Sequence, residues 1–248
     1  MPKYDNDIQD KRFVSGKEMF SGIRNRETVS SLLYRYRTRN MIVRVRKNVY
    51  LPVNPGDGYV DENKFEIGCS AVPESYISYH SAMEYYGWQN QVFNRIYLSA
   101  VRRFRPFEFD FVEYMYAPDK FREGIVRPHP DKKVHVTDPE RTIIDCADRL
   151  DLAGGYEEYV YNLNFVGEAD EGKLLHYLSL YGKQALNQRA GFILSLFKEK
   201  MKLSDRFFRI CREKAGKSTR YLTVKGESDI YVSQWKICVP RYLMELTR

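Results

Sequence analysis

Residues 26–40, RETVSSLLYRYRTRN, place apolar side chains at Val29, Leu32, Leu33 and Tyr36. The spacing i, i+3, i+4, i+7 is one stripe of an α-helix, which turns Glu27, Ser31, Tyr34 and Thr38 away from the buried side and sets Ser30 and Arg35 on the flanks. From Met41 the period shortens: MIVRVRKNVYLPV reads as two short strands joined by a basic turn at Lys47-Asn48. Upstream, Ser15 and Glu18 have capping-box spacing, and residues 21–25 make a short polar turn before the helix. Helix, turn, helix and basic hairpin is the order of a winged helix-turn-helix, expected over residues 1–53.

Asn54-Pro55-Gly56-Asp57-Gly58 has turn chemistry, and residues 54–66 are expected to be a linker. Beyond it, residues 67–248 read as a larger mixed domain. YISYHSAMEYYGW predicts a helix from about Tyr79 with Gly87 as its C-cap. NRIYLSAV, FEFDFVEYMYA and KKVHVTD are rich in β-branched and aromatic residues and predict strands. In TDPERTIIDCADRL, Asp138 suits an N-cap, Pro139 the first helical position and Glu140 the positive first turn, with Ile143, Ile144 and Ala147 as the buried face. Helical pattern continues to Lys198, and YLTVKG and QWKICVP predict two closing strands. The expected fold class is α+β.

At 248 residues and 43% hydrophobic, the chain is long enough to bury a sizeable core. No apolar run approaches the length of a membrane span, and the charged start does not resemble a signal peptide, so a cytoplasmic protein is expected. Cys69, Cys146, Cys211 and Cys238 fit no metal or disulfide spacing, and His80, His129, His135 and His176 fit no ligand set.

Charge changes the picture more than composition does. Residues 1–53 hold 12 Lys and Arg against 5 Asp and Glu, whereas the remaining 195 residues hold 28 of each sign. That asymmetry is the footprint of a polyanion-binding module. A helix fits the major groove of DNA, Arg pairs with guanine edges, and further cations neutralise phosphates. Arg24 and Arg26 stand at the helix entrance, where the helix dipole also favours phosphate. Thr28, Ser31 and Tyr34 fall nearest the bases, Arg35 lies beside them, and Arg44, Arg46 and Lys47 belong to the hairpin, whose tip suits an adjacent minor groove. For each cation alone a solvated surface position is the competing reading. Glu27 either accepts from cytosine N4 or caps the helix.

Catalytic chemistry is sparse. Asp110 and Glu113 on one strand suggest a metal-dependent nuclease pair, but the acidic-x-Lys element such a site wants is met only by Glu171-Gly172-Lys173 in helical context. His80 between Ser78 and Ser81 imitates a nucleophile and base, yet neighbours along a helix do not face each other. Asp138, Glu140 and Arg141 are accounted for by capping and a local ion pair. No phosphate loop or dinucleotide fingerprint is present, so no enzyme, cofactor or metal is expected.

The segments RVRKNVYLPV, YISYHSAMEYYGW, VHVTDPERTIIDCADRL with AGGYEE, and LNQRAGFILSLF resemble, in that order, the wing strand, the "S..SA...hG" helix, the "PERT..D" junction and the "RlGyll" helix of the AbiEi antitoxins of type IV toxin–antitoxin and phage-defence systems. Asn48 stands where that family often has a glycine in the wing turn, and the match is loose from Glu199 onward. The resemblance implies a transcriptional autorepressor that binds inverted repeats of double-stranded DNA in its own promoter. It also implies a C-terminal domain that counteracts a nucleotidyltransferase-type toxin, AbiEii. A DNA-targeted defence nuclease, a ligand-responsive winged-helix repressor, and a module for RNA or protein remain as alternatives.

Overall fold

The computed structural model describes residues 14–15, 26–54, 60, 63–223 and 230–244. Those residues form a mixed α+β protein. The chain builds two compact units that interleave along the sequence: 1–76, 94–119 and 127–135 in one, and 77–93, 120–126 and 136–248 in the other.

The first unit begins with β1 (Val14–Ser15), α1 (Arg26–Thr38), β2 (Ile42–Arg46) and β3 (Val49–Pro52). These three strands pair antiparallel in the order β1-β3-β2. Ser15 thus lies in a strand opposite Val49, while Glu18 and the 21–25 turn lie outside the described residues. The expected apolar stripe is the inner face of α1: Leu32 and Tyr36 are buried with Ile42 and Tyr50, and Val29, Leu33 and Met41 pack against them. The helix ends where Asn40 takes a left-handed φ of 52° and the Met41 N–H returns to the Tyr36 carbonyl at 3.0 Å. Asn48, at φ 63°, makes the hairpin turn, and the register shifts between Arg44 and Arg46, so β2 is bulged rather than regular. Asn adopts this conformation at lower cost than most residues, which lets it serve in the turn.

An unexpected helix follows, α2 (Lys64–Ala71), whose start lies in the stretch expected to be a linker. Its signal was present, because Asn63 and Glu66 form a full capping box. The strand β4 (Tyr76–Ile77) carries the chain into the second unit, where α3 (His80–Tyr85) follows. Returning to the first unit, β5 (Arg95–Ala100), β6 (Phe107–Phe109) and β7 (Val112–Pro118) pair in the order β6-β7-β5, with β5 and β7 parallel. FEFDFVEYMYA is therefore a hairpin rather than one strand, because Asp110 and Phe111 both take positive φ and reverse the chain. Tyr114 is fully buried, stacks on Phe107 at 4.7 Å and donates its hydroxyl to the Lys64 carbonyl at 3.1 Å, holding α2 on this sheet.

The second unit adds β8 (Ile125–Val126) and β9 (Val136–Thr137), paired in the order β4-β9-β8, so only the end of KKVHVTD is strand. Five helices follow: α4 (Pro139–Asp148), α5 (Tyr156–Asn162), α6 (Glu171–Tyr181), α7 (Gln184–Ser195) and α8 (Asp205–Lys214). α4 starts as expected, with Asp138 accepting from the Arg141 N–H at 2.8 Å and Pro139 in the first turn. The closing strands are β10 (Arg220–Tyr221), β11 (Ile230–Val232) and β12 (Ile237–Val239), with β12 in the middle. QWKICVP contributes only β12, and residues 224–229 of YLTVKG and beyond lie outside the described residues.

Candidate nucleic-acid interface

Burying Leu32 and Tyr36 against the hairpin dictates what α1 shows to solvent. Thr28, Ser31, Tyr34, Arg35, Arg37 and Thr38 are all exposed, and Tyr34 keeps 70% of its surface although it is aromatic. An exposed tyrosine in a row of polar residues presents a flat apolar face and a hydroxyl, the combination that suits base or sugar contact. Arg35 and Arg37 occupy the last turn, where the helix dipole favours cations. Thr38 donates to the Tyr34 carbonyl at 2.9 Å and so spends its hydroxyl on its own helix. Arg24 lies outside the described residues. Arg26 opens the helix in backbone only, and Glu27 likewise has no described side chain.

Beside this face runs a groove of about 560 Å³, lined by Tyr34, Arg37, Thr38, Asn40, Val43 and Arg44 among others. Helix and hairpin thus contribute cations to one surface of the first unit. Arg44 is exposed and is steered by a hydrogen bond from Nε to the Arg46 carbonyl at 3.3 Å, across the bulge. Lys47 is exposed in the turn. Arg46 is placed differently from the other hairpin cations. Its guanidinium lies 5.0 Å from the Phe107 ring centre and 5.8 Å from that of Phe104, half-buried, and burial lowers its pKa. It ties the hairpin to the 94–119 segment. Arg37, which lines the groove, was not singled out from the sequence, although RYRTR at the end of the helix marks it.

The residues weighed for chemistry are occupied structurally. Glu113 is held by Arg95, whose Nε and Nη2 donate to one carboxylate oxygen at 2.9 and 2.7 Å, and Asp110 stands in the hairpin turn. Among the described residues no group of three His, Cys, Asp or Glu could hold a metal ion. His80 is 2% exposed, 3.4 Å from Glu158 Oε1 and edge-on to Phe93 at 4.4 Å. The same Glu158 oxygen accepts the backbone N–H of Asn90 and Gln91, so the carboxylate pins a loop.

The PERT junction is a closed polar network inside the second unit. Asp138 Oδ2 accepts Tyr177 at 2.7 Å and Lys173 at 3.4 Å, Glu140 takes the Asp170 N–H at 3.1 Å, and Lys173 also reaches Glu140 at 3.4 Å. Arg141, 1% exposed, pairs with Asp145 at 3.3 Å, donates to the Glu123 carbonyl and lies over the Phe121 ring at 4.4 Å. Charges buried this deeply persist only with such a full set of partners. The network fastens α4 and α6 together.

The fold and this surface define a mixed α+β protein with a basic helix-and-hairpin face. No family model matches the chain, and no curated protein matches it in sequence. In fold it is similar to the crystal structure of the RV2827C protein from Mycobacterium tuberculosis, with a TM-score of 0.69 at 14% identity over 98% of this chain and 91% of that one. At that identity the likeness is one of fold. Among the described residues no helix is long and apolar enough to cross a membrane.

Proposed function

We propose that this chain is a DNA-binding autorepressor and the antitoxin of a type IV toxin–antitoxin system, cytoplasmic, acting without catalysis of its own. Residues 1–53 act as a winged helix-turn-helix. α1 lies in the major groove with Thr28, Ser31 and Tyr34 toward the bases. Arg24, Arg26, Arg35 and Arg37 meet phosphates, and the hairpin with Arg44 and Lys47 reaches the next groove. The observation that carries this reading is the division of α1 into a buried Leu32–Tyr36 side and an exposed side of Ser31, Tyr34, Arg35 and Arg37, alongside a hairpin bearing further exposed cations. Repression follows by occupancy, because protein seated on inverted repeats in the promoter excludes polymerase.

The antitoxin part rests on the ordered resemblance of the four quoted segments, with an AbiEii-like nucleotidyltransferase as the partner. Two measurements test the two parts. Anisotropy titration of the duplex preceding its own coding sequence is expected to give an affinity falling by roughly 0.9 log units per log unit of salt for each phosphate neutralised. A flat response removes the electrostatic account. Co-expression with the product of the neighbouring gene is expected to restore growth that the neighbour alone arrests, and continued arrest removes the antitoxin assignment.

A further inference from the structure

The neutral tally of the chain beyond residue 53 hides a local concentration of charge. Residues 94–119 carry four arginines and four acids, but Arg102, Arg103 and Arg105 fall within four positions, in the loop between β5 and β6. The acids Glu108, Asp110 and Glu113 lie on β6, in its turn and on β7. The three arginines are exposed. Between them Phe104 is buried, 5.7 Å edge-on from Tyr116 and 6.3 Å from Phe107, and Arg103 lies 5.9 Å over the Tyr116 ring. An anchored aromatic flanked by exposed cations fixes the loop and leaves its charges outward, which lowers the ordering cost of binding.

This loop adjoins the hairpin. Arg46 of β2 covers the Phe104 and Phe107 rings, and Arg46, Arg102 and Arg103 line one recess of about 410 Å³, with Glu74 also on its wall. We propose that the loop at 101–105 is a second contact for the DNA backbone, continuing the hairpin's basic surface so that phosphates beyond the wing are also neutralised. It rests on the DNA-binding reading above and extends it to a part of the sequence outside the winged helix. Three arginines within four positions, outnumbering the single acid Glu74 beside them, suit the regular phosphates of a duplex.

The test is anisotropy titration of full-length protein on the duplex preceding its own coding sequence and on a scrambled duplex, between about 50 and 200 mM salt. It compares the wild type, a triple variant Arg102→Gln/Arg103→Gln/Arg105→Gln, and Arg44→Gln/Lys47→Gln, with thermal melts confirming that each is folded. The triple variant is expected to bind both duplexes at least about tenfold more weakly, with a salt slope lower by about 0.9 per lost phosphate contact and an unchanged ratio between duplexes. Hydroxyl-radical footprints of the wild type should protect backbone sugars that the triple variant leaves open. A wild type that binds while the triple variant keeps the same affinity, slope and footprint overturns the second contact and spares the winged-helix reading. A wild type that binds neither duplex overturns that reading and this one with it. Weakening of toxin antagonism with DNA binding intact would show the loop to be a protein contact instead, which also overturns the proposal.

Discussion

Tyr181 donates its phenol proton to Asp145 Oδ1 at 2.6 Å, from α6 to α4, while Arg141 holds the other oxygen. Burial pushes the Asp145 carboxyl up to about 6, against the lowering pull of Arg141 and Tyr181. Since the folded state holds this proton more tightly than the unfolded chain does, the contribution to stability is complete below the ordinary carboxylate range. It is lost as pH rises through about 6. At 1.36 kcal/mol per unit the loss is about 2–3 kcal/mol. Denaturant midpoints of wild type and Asp145→Asn across that window are expected to show the wild type's advantage shrinking as pH rises. Tyr181→Phe should move the window upward. A constant difference between wild type and Asp145→Asn would mean that the Asp145 carboxyl titrates in the folded protein as it does in the unfolded chain.

A second expectation concerns the glycine of the RAGF segment. Gly191 sits inside α7, where Ala is intrinsically better by about 1 kcal/mol. A Cβ there would run into the six-membered ring of Trp235. That ring is 2% exposed, and Phe208 and Arg212 stand 6.3 and 5.5 Å from it, so it has little room to yield. Overpacking costs about 1–3 kcal/mol and outweighs the helix gain. Gly191→Ala is expected to lower Tm, and the penalty should shrink in a Trp235→Phe background. An alanine variant as stable as wild type would refute the close packing.

Both cases bear on how much a linear reading could reach. The α1 stripe and the Asp138-Pro139 start of α4 were legible because periodicity and capping are local. The α8 helix was not expected, although Ser204 caps it and Phe207, Phe208 and Cys211 share its buried side. Its dense charges masked that short apolar face. The parallel pairing of β5 with β7 and the interleaving of the two units both depend on contacts that no neighbouring residues announce. For the same reason sequence alone could not place Arg46 on Phe104 and Phe107, more than fifty residues away, nor separate it from Arg44 and Lys47.

The β6–β7 turn stores strain that a substitution should release. Asp110 and Phe111 have φ of 51° and 59°, the doubly left-handed geometry that favours Asn-Gly, and Phe111 is 82% exposed. A left-handed phenylalanine costs about 1–2 kcal/mol, and so exposed a ring returns little by packing. Phe111→Gly is expected to stabilise the protein by about 1 kcal/mol after the entropic cost of glycine, read as a higher denaturant midpoint at unchanged slope. A loss of stability would show that the ring has a partner in the folded protein.

Substitutions on the two sides of α1 should separate folding from binding. Leu32 is buried with Tyr36, Ile42 and Tyr50, so Leu32→Ala removes core contacts and is expected to cost about 2–4 kcal/mol. DNA affinity would then fall only where the first unit unfolds. Tyr34, two residues on and so about 200° round the helix from Leu32, touches little of the protein, and Tyr34→Ala should change stability by less than about 0.5 kcal/mol. Under the proposed function it should nevertheless weaken binding to the promoter duplex more than to a scrambled one, because its ring is placed toward the bases rather than the phosphates. Thermal melts and paired titrations of the two variants decide the matter. If Tyr34→Ala binds both duplexes as the wild type does, α1 is not the reading helix, and the DNA would have to be sought on the hairpin alone.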